Sequence, residues 1–193
     1  MVAIYPPRPR NAEATKAAIL AAARGRFARA SYDTVGIREI ASDAGVDPAL
    51  VSRYFGSKED LFAAVLNRPE KIERIGDLFT GDIATLSTRI ADMIVEEPDD
   101  ENTVEDFLIM LNSIASATAA DMVRATIFER CDRPVAAALT GPHTELRARM
   151  LGALIVGHIM NRTMWGDLAK DPDLRTRVRQ RIVEQVELSL AEL

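Results

Sequence analysis

Apolar residues recur along most of the chain at the three- and four-residue spacings of amphipathic helices. The first helix is predicted at about residues 12–30, and its buried stripe is expected to comprise Ile19, Ala22, Ala23 and Phe27. Residues 1–10 carry three prolines and two arginines, and they predict a flexible basic arm rather than a helix. Such an arm is most often simply disordered, and in a nucleic-acid-binding protein it can instead touch phosphates or reach a minor groove.

Two short helices joined by a tight turn are predicted between Thr34 and Lys58. Thr34 is expected to cap the first of them, with Ile37, Ile40 and Ala41 as its apolar face. Gly45 lies where the chain needs a positive φ. This pattern is typical of a helix-turn-helix, whose second helix enters the DNA major groove.

The second short helix is predicted to start at Asp47, a capping residue followed by proline at the first helical position. Gly56 breaks the chain after it. Ser57 with Asp60 then forms a capping-box pattern that begins a further helix. Val46 and Val51 are predicted to be core residues that hold the second helix in place.

Further helices are predicted throughout the rest of the chain. One stripe comprises Ile83, Leu86, Ile90, Met93 and Ile94, and an acidic loop at residues 96–102 ends where Thr103 restarts a helix. A helix at about 117–139 is expected to bend at Pro134. Gly141 and Pro142 end that segment.

The last two helices are predicted to form an interaction face. The first runs from Thr144 to about Trp165, and its Gly152/Gly157 pair permits a close helix approach; the second follows Asp171-Pro172. Their simplest use is a symmetric dimer built as a four-helix bundle, and the alternative is that both only complete a monomeric core. The expected interface residues are Leu151, Leu154, Ile155, Val178, Ile182 and Val186.

Composition indicates an ordinary globular protein with an uneven charge distribution. Of its 193 residues, 48% are hydrophobic and 27% charged, and the net charge is −5. Residues 1–58, which we call the basic head, nevertheless carry a net charge of +4, and the remainder carries −9. This distribution suits a DNA-binding segment joined to a second domain. With no signal-peptide core or membrane-length apolar run, we expect a cytoplasmic protein.

The segment from Thr15 to Phe62 resembles the TetR (tetracycline-repressor-like) family of bacterial transcriptional regulators. The matching pieces are AAILAAARGRFARASYDTVGIREIASDAGV and DPALVSRYFGSKEDLF. The resemblance implies an all-α protein with an N-terminal helix-turn-helix domain and a larger C-terminal ligand-binding and dimerisation domain. The corresponding boundaries are residues 1–10 for the arm, 11–56 for the DNA-binding domain, 57–67 for a connecting helix and 68–193 for the second domain.

The resemblance also implies which residues contact double-stranded operator DNA. Bases would be faced by Pro48, Ala49 and Leu50, and phosphates or bases by Ser52, Arg53 and Tyr54. Thr34 and Arg38 would approach the backbone, and Lys58 would bind a phosphate at a helix N-terminus. The family often has glycine at the position of Ala49 and tyrosine at that of Ser52, so the preferred operator sequence is open.

The family resemblance further implies a homodimeric repressor released by a small, largely apolar effector. Candidate pocket residues are Phe107, Met110, Met122, Phe128, His158, Asn161 and Trp165. Met and Phe residues in helical stripes are more often plain core, and His158 alone is more often a satisfied core histidine. A helical protein-interaction module is the competing interpretation, although it leaves the basic head without a use.

We expect no enzymatic activity, no cofactor and no metal. The two histidines, His143 and His158, lack metal-ligand spacing, and the chain has neither a Gly-rich phosphate loop nor a nucleophile elbow. The single cysteine, Cys131, excludes an intramolecular disulfide, and we expect it to be inert.

Overall fold

The computed structural model describes residues 9–68, 78–79, 81–96, 101–166 and 171–193, and within these ranges the chain is helical with no strand. This confirms the all-α fold class. The α-helices are α1 (Pro9–Arg29), α2 (Ile37–Asp43), α3 (Pro48–Phe55), α4 (Lys58–Leu66), α5 (Leu86–Glu96), α6 (Glu101–Ser113), α7 (Ala117–Ile127), α8 (Arg133–Ala138), α9 (Thr144–Trp165) and α10 (Pro172–Leu190). Residues 1–8 of the predicted arm and 97–100 of the predicted acidic loop lie outside the described ranges.

The chain divides into two compact units. The first comprises the residues up to Arg68 together with Leu108–Val123, and the second comprises Pro69–Phe107 and Arg124–Leu193. None of the described helices is long and apolar enough to cross a membrane.

An aromatic cluster forms the centre of the first unit. Phe27 of α1 stacks on Tyr32 with ring centroids 5.8 Å apart, and Phe62 of α4 meets both rings edge-on at 4.9 and 5.0 Å. Each ring is at most 5% exposed. Around them the fully buried Ile19, Ile40 and Leu61 join α1, α2 and α4 into one core. The predicted stripe of α1 is confirmed at Ile19, Ala23 and Phe27.

Two predicted helix starts in the first unit are wrong. α1 begins at Pro9, within the predicted arm, because a proline in the first helical turn needs no hydrogen-bonded N–H. Thr34 does not cap α2; it lies in a 3₁₀ turn, Tyr32–Thr34, and its hydroxyl donates to the Ser31 carbonyl at 2.9 Å. Gly36 is the N-cap instead, and its N–H donates to Glu39 Oε2 at 3.0 Å.

The end of α6 and the turn that follows it support the end of α1 and the residues just after it, within the same unit. Asn112 Nδ2 donates to the Ala28 carbonyl at 2.8 Å, and Ser116 Oγ donates to Asp33 Oδ1 at 3.0 Å. The last carbonyls of a helix have no partner within it, so the asparagine satisfies a group that α1 itself leaves open.

A bidentate ion pair joins α1 to α2. Arg26 Nε and Nη2 donate to the two carboxylate oxygens of Asp43 at 2.5 and 2.7 Å. The hydrogen bonds from Arg26 hold the pKa of Asp43 below its ordinary value. The pair therefore contributes stability above the ordinary carboxyl pKa of about 3.9, and loses it as the pH falls through the lowered value.

We expect Asp43→Asn to lower the thermal unfolding midpoint at pH 7, and we expect this difference from the wild type to shrink as the pH falls below the ordinary carboxyl pKa and through the lowered pKa of Asp43, where the wild-type carboxylate becomes protonated as well. Unfolding followed by circular dichroism at a series of pH values measures this difference. The same substitution in an Arg26→Gln background is the control, and there it should have little effect at any pH. An unchanged deficit at acid pH would contradict the assignment.

The core of the second unit is built from α5, α9 and α10. Its fully buried members are Leu86, Ile90, Ile94, Leu151, Ile182 and Val186. The predicted stripe on α5 is thus confirmed at Leu86, Ile90 and Ile94. α6 begins at Glu101, earlier than the predicted restart at Thr103.

Two buried arginines of α9 bind backbone carbonyls in this unit. Arg147, 4% exposed, donates to the carbonyls of Thr140 and Leu190, at 2.6 Å for the former. Arg162, 7% exposed, donates to the Ile94 carbonyl at 2.7 Å near the end of α5. Each guanidinium satisfies carbonyls that lack a partner within their own helix or turn.

The predicted bend near Pro134 takes the form of a π-helical turn, Phe128–Asp132, between α7 and α8. Proline lacks an N–H and its ring crowds the preceding turn, so the wider turn accommodates it without breaking the helix. Asp132 is buried in this turn, and burial raises the pKa of its carboxyl despite the Arg149 guanidinium 4.0 Å away.

Candidate nucleic-acid interface

The helix-turn-helix comprises α2, a glycine turn and α3. Gly45 has φ +66°, a conformation that other residues adopt only with strain, and this confirms its predicted place in the turn. Asp47 caps α3 by accepting a hydrogen bond from the Ala49 N–H at 2.8 Å, and Pro48 occupies the first helical position. The predicted start of α3 is therefore confirmed.

α3 is fixed by one side and exposed on the other. Val51 is 1% exposed and anchors the helix to the core, as predicted, whereas Val46 in the turn is only half-buried. Of the predicted DNA-contacting residues, Pro48, Ala49, Ser52 and Arg53 are exposed, and Leu50 and Tyr54 are half-buried. The outer face of α3 thus offers short polar and apolar side chains beside one cation.

The remaining predicted DNA-contacting residues belong to the same unit. Thr34 and Arg38 are exposed before and on α2, and Lys58 is the half-exposed first residue of α4. Within the described ranges, neither Arg38 nor Arg53 has a hydrogen-bond or ion-pair partner. Both guanidinium groups are therefore available for phosphate.

The start of α4 is rigidly defined, because Gly56 has φ +83° and Ser57 then caps the helix. The Asp60 N–H donates to Ser57 Oγ at 3.0 Å, and the Ser57 N–H donates to Asp60 Oδ2 at 3.1 Å. The hydrogen bond from the Ser57 hydroxyl is the main cause that lowers the pKa of Asp60, and the hydrogen bond from the Ser57 backbone N–H lowers it further. The predicted capping box is confirmed, and it fixes the backbone on which Lys58 stands.

Sequence patterns did not predict two lysine–tyrosine contacts, one to Tyr54 and one from Lys58. Lys16 Nζ of α1 lies 6.0 Å from the ring centroid of Tyr54, and Lys58 Nζ lies 4.3 Å from that of Tyr32. The partners are 38 and 26 positions apart in the sequence, and no periodicity relates residues on separate helices. Only one feature of the sequence partly indicated these contacts: Lys16 lies off the apolar stripe of α1.

The candidate effector-pocket residues are divided between the two units. Met110 and Met122 lie in the first unit, and Phe107, Phe128, His158, Asn161 and Trp165 lie in the second. Trp165 is 71% exposed, and a His158 ring nitrogen lies 3.0 Å from Gln185 Oε1. A shallow cleft of about 300 Å³ in the second unit has a different lining, formed by Ile83, Ala84, Ser87, Leu139, Glu187, Leu190 and Ala191.

The structure corrects three of the six expected dimer-interface residues. Leu151, Ile182 and Val186 are at most 1% exposed within the single chain, so they have no surface to offer a partner. Leu154, Ile155 and Val178 are half-buried and pack against the same core.

Of the glycine pair of α9, only Gly152 lies near another described element of the chain. An added Cβ at Gly157 would meet none of the described atoms within 4 Å, and one at Gly152 would meet only Asp132 Oδ1, at 3.8 Å. Among the described residues, no close approach is therefore made at Gly157, whereas Gly152 lies beside the π-helical turn that contains Asp132.

A different face of α9 carries exposed apolar residues, and we call it the α9 stripe. Its members are Leu146, Met150, Ala153, Gly157, Met160 and Met164. They alternate in steps of four and three residues, the spacing of a seam along which two helices pack. The four largest members are 42–58% exposed.

The fold and this interface define a helix-turn-helix transcriptional regulator with a second, all-helical domain. Residues 19–65 match the family described as bacterial regulatory proteins, tetR family, and residues 84–193 match the tetracyclin repressor-like C-terminal domain. The second match alone covers more than half of the chain. The chain belongs to the TetR family, which confirms the resemblance found in the sequence.

One curated relative is similar to this chain over part of its length. The chain is 42% identical over 59 residues to the HTH-type transcriptional repressor SCO4008 of Streptomyces coelicolor, and the match spans 31% of each chain. It therefore covers about a third of the length of this curated relative.

Solved structures are similar over nearly the whole chain. A TetR-family regulator from Streptomyces coelicolor A3 is 27% identical, with 97% of this chain and 100% of that chain covered and a TM-score of 0.56. The multidrug binding protein EbrR, solved in complex with imidazole, is 19% identical over 100% of this chain and 99% of its own, with a TM-score of 0.67. At that identity the likeness to EbrR shows the fold alone.

Proposed function

We propose that this protein is a transcriptional repressor that binds a palindromic operator as a homodimer and is released by a small, largely apolar effector. The observation that carries the proposal is α3, which is anchored by the buried Val51 and exposes the opposite face. Because the DNA target of a bacterial regulator is cytoplasmic, we place its action there.

In the proposed complex, α3 lies in the major groove and the residues around it hold the DNA backbone. Pro48, Ala49 and Leu50 at its N-terminal end face the base edges. Thr34, Arg38 and Lys58 are proposed to contact phosphates. Ser52, Arg53 and Tyr54, which lie within α3, are proposed to contact phosphates or bases. Backbone contacts supply affinity that falls with salt, and base contacts select the sequence.

This division of roles predicts different effects for two substitutions. Arg38→Gln should weaken binding to all sequences alike and reduce the slope of log affinity against log salt by about one per lost phosphate contact. Leu50→Ala should instead change which sequence is preferred. Fluorescence anisotropy titrations over a salt series, with several duplexes, measure both effects.

Arg181→Gln is the matched control, because Arg181 is an exposed arginine of α10 in the second unit. It should leave both affinity and slope unchanged. Equal behaviour of Arg38→Gln and Arg181→Gln would remove Arg38 from the interface.

The proposed dimer forms along the α9 stripe. Gly157 is exposed in the middle of a 22-residue helix, where glycine destabilises by about 1 kcal/mol relative to alanine. A second copy of α9 packed at this position would use the space that the absent side chain leaves. Two heads related by a two-fold axis would then reach half-sites about one helical turn, 34–36 Å, apart.

Release by an effector is proposed from family membership, and a protein of the same fold that binds small molecules supports it. EbrR is described as a multidrug binding protein. In this chain the candidate effector contacts remain Phe107, Met110, Met122, Phe128, His158, Asn161 and Trp165. An effector would reduce operator affinity by favouring a conformation whose head spacing no longer fits the two half-sites.

Selection of bound duplexes from a random DNA pool tests the proposed function. The expected product is a palindrome with two half-sites about one helical turn apart. Enrichment of an asymmetric single site would contradict the dimer, and no enrichment over the starting pool would contradict sequence-specific DNA binding. A compound screen against the selected duplex then tests release.

A further inference from the structure

Lys58 occupies an unfavourable position for a cation in the free protein. It is the first residue of α4, where unpaired backbone N–H groups give a helix a partial positive charge. Within the described ranges it forms no direct ion pair: the charge of the adjacent Glu59 carboxylate acts on it only through space, and its ring contact is with the face of Tyr32, 4.3 Å from Nζ to the centroid. An ammonium group at that distance is attracted by the negative face of the ring.

The Tyr32 ring is a rigid and uncharged platform. It is 5% exposed and is held between Phe27 and Phe62, with centroids 5.8 and 5.0 Å away. Burial, and after it the neighbouring Glu59 carboxylate, raise the pKa of Tyr32 to about 12, so the hydroxyl stays protonated near neutral pH. The ring therefore attracts the ammonium group without neutralising its charge.

We propose that Tyr32 is a positioning residue that holds the Lys58 ammonium over its ring and presents it to a DNA phosphate. The proposal rests on the phosphate contact assigned above to Lys58. A carboxylate partner would compete with the phosphate for the ammonium hydrogens, whereas the ring contacts one side of the group and leaves other N–H donors available. Binding then requires less ordering of a long, flexible side chain.

The first test examines the contact in the free protein by NMR. Protons above an aromatic ring are shifted upfield, so the Lys58 ε-methylene signals should lie upfield of those of an exposed lysine. Tyr32→Phe, which keeps the ring, should retain the shift, and Tyr32→Leu should abolish it. Unshifted Lys58 signals in the wild-type protein would overturn the proposal without any use of DNA.

The second test is a double-mutant cycle on DNA binding, with a mixed-sequence 24-base-pair duplex as the probe because phosphate contacts do not depend on sequence. Lys58→Met should weaken binding and reduce the salt slope. Tyr32→Leu should weaken binding about two- to fivefold, the effect expected of one exposed cation–π contact. Tyr32→Phe should bind like the wild type, and Tyr32→Leu should have no further effect in the Lys58→Met background.

The outcomes separate the two proposals. If Lys58→Met binds normally, the phosphate contact of Lys58 is wrong, and the positioning role with it. If Lys58→Met weakens binding but Tyr32→Leu lowers the DNA affinity by the same factor in both backgrounds, Tyr32 acts only through the stability of the basic head. Thermal unfolding of each variant by circular dichroism identifies any loss of folded protein.

Discussion

Ala153→Glu is expected to convert the protein to a monomer and to reduce operator affinity about a hundredfold or more. Ala153 lies exposed near the middle of the α9 stripe, so each copy of a two-fold dimer would place a carboxylate in the seam. Burying two like charges without partners opposes association. A monomer then loses the gain from binding two linked half-sites, which is typically 10²–10⁴-fold.

Ala137→Glu is the matched control, since Ala137 is an exposed alanine of α8 outside the stripe. Both substitutions exchange one good helix former for another, so helix propensity does not distinguish them. Sedimentation velocity gives the oligomeric state, and titration of the selected duplex gives the affinity. A stable Ala153→Glu dimer would show that the α9 stripe is not the interface.

Phe62→Ala is expected to lower the free energy of unfolding by about 3–5 kcal/mol, the cost of removing a large aromatic side chain from a closed core. Phe62 is fully buried and meets the rings of Phe27 and Tyr32 edge-on. Such a loss is a large fraction of the stability of a typical domain. The first unit should therefore unfold at lower temperature, and DNA binding should be lost with it.

Hydrogen exchange followed by mass spectrometry locates the effect. Faster exchange is expected in α1–α4, with α10 in the second unit least affected. Leu188→Ala is the control, because Leu188 is 76% exposed and its truncation should change stability by less than about 0.5 kcal/mol. Equal protection of α4 in Phe62→Ala and the wild type would contradict the central place of the aromatic cluster.

The helix-turn-helix could be predicted from sequence because its signals are local. Asp47 followed by Pro48, Gly45 in the turn, and Ser57 with Asp60 each act on neighbouring backbone groups, and all three predictions agree with the structure. The error at Thr34 has a similarly local cause. It lies two positions before the true cap, Gly36, and a threonine hydroxyl can also close a tighter turn on a preceding carbonyl.

The orientation of α9 could not be predicted because its apolar residues lie on all sides. A stripe through Leu151 and Ile155 and another through Met150 and Gly157 are equally apolar in the sequence. Charged residues would normally mark the outer face, but Arg147 and Arg162 are buried on carbonyls supplied by distant parts of the chain. Sequence periodicity contains no information about those partners.

The length of α3 limits how much DNA one protomer can read. Its eight residues lie between the Asp47 cap and the Gly56 turn, so the helix cannot extend by another turn at either end. At 1.5 Å per residue it is about 12 Å long, which corresponds to three or four base pairs at about 3.4 Å each. A dimer would therefore have about six to eight base pairs within direct reach of its two α3 helices. Any longer operator consensus would reflect the bending and groove width of the DNA rather than contacts from α3.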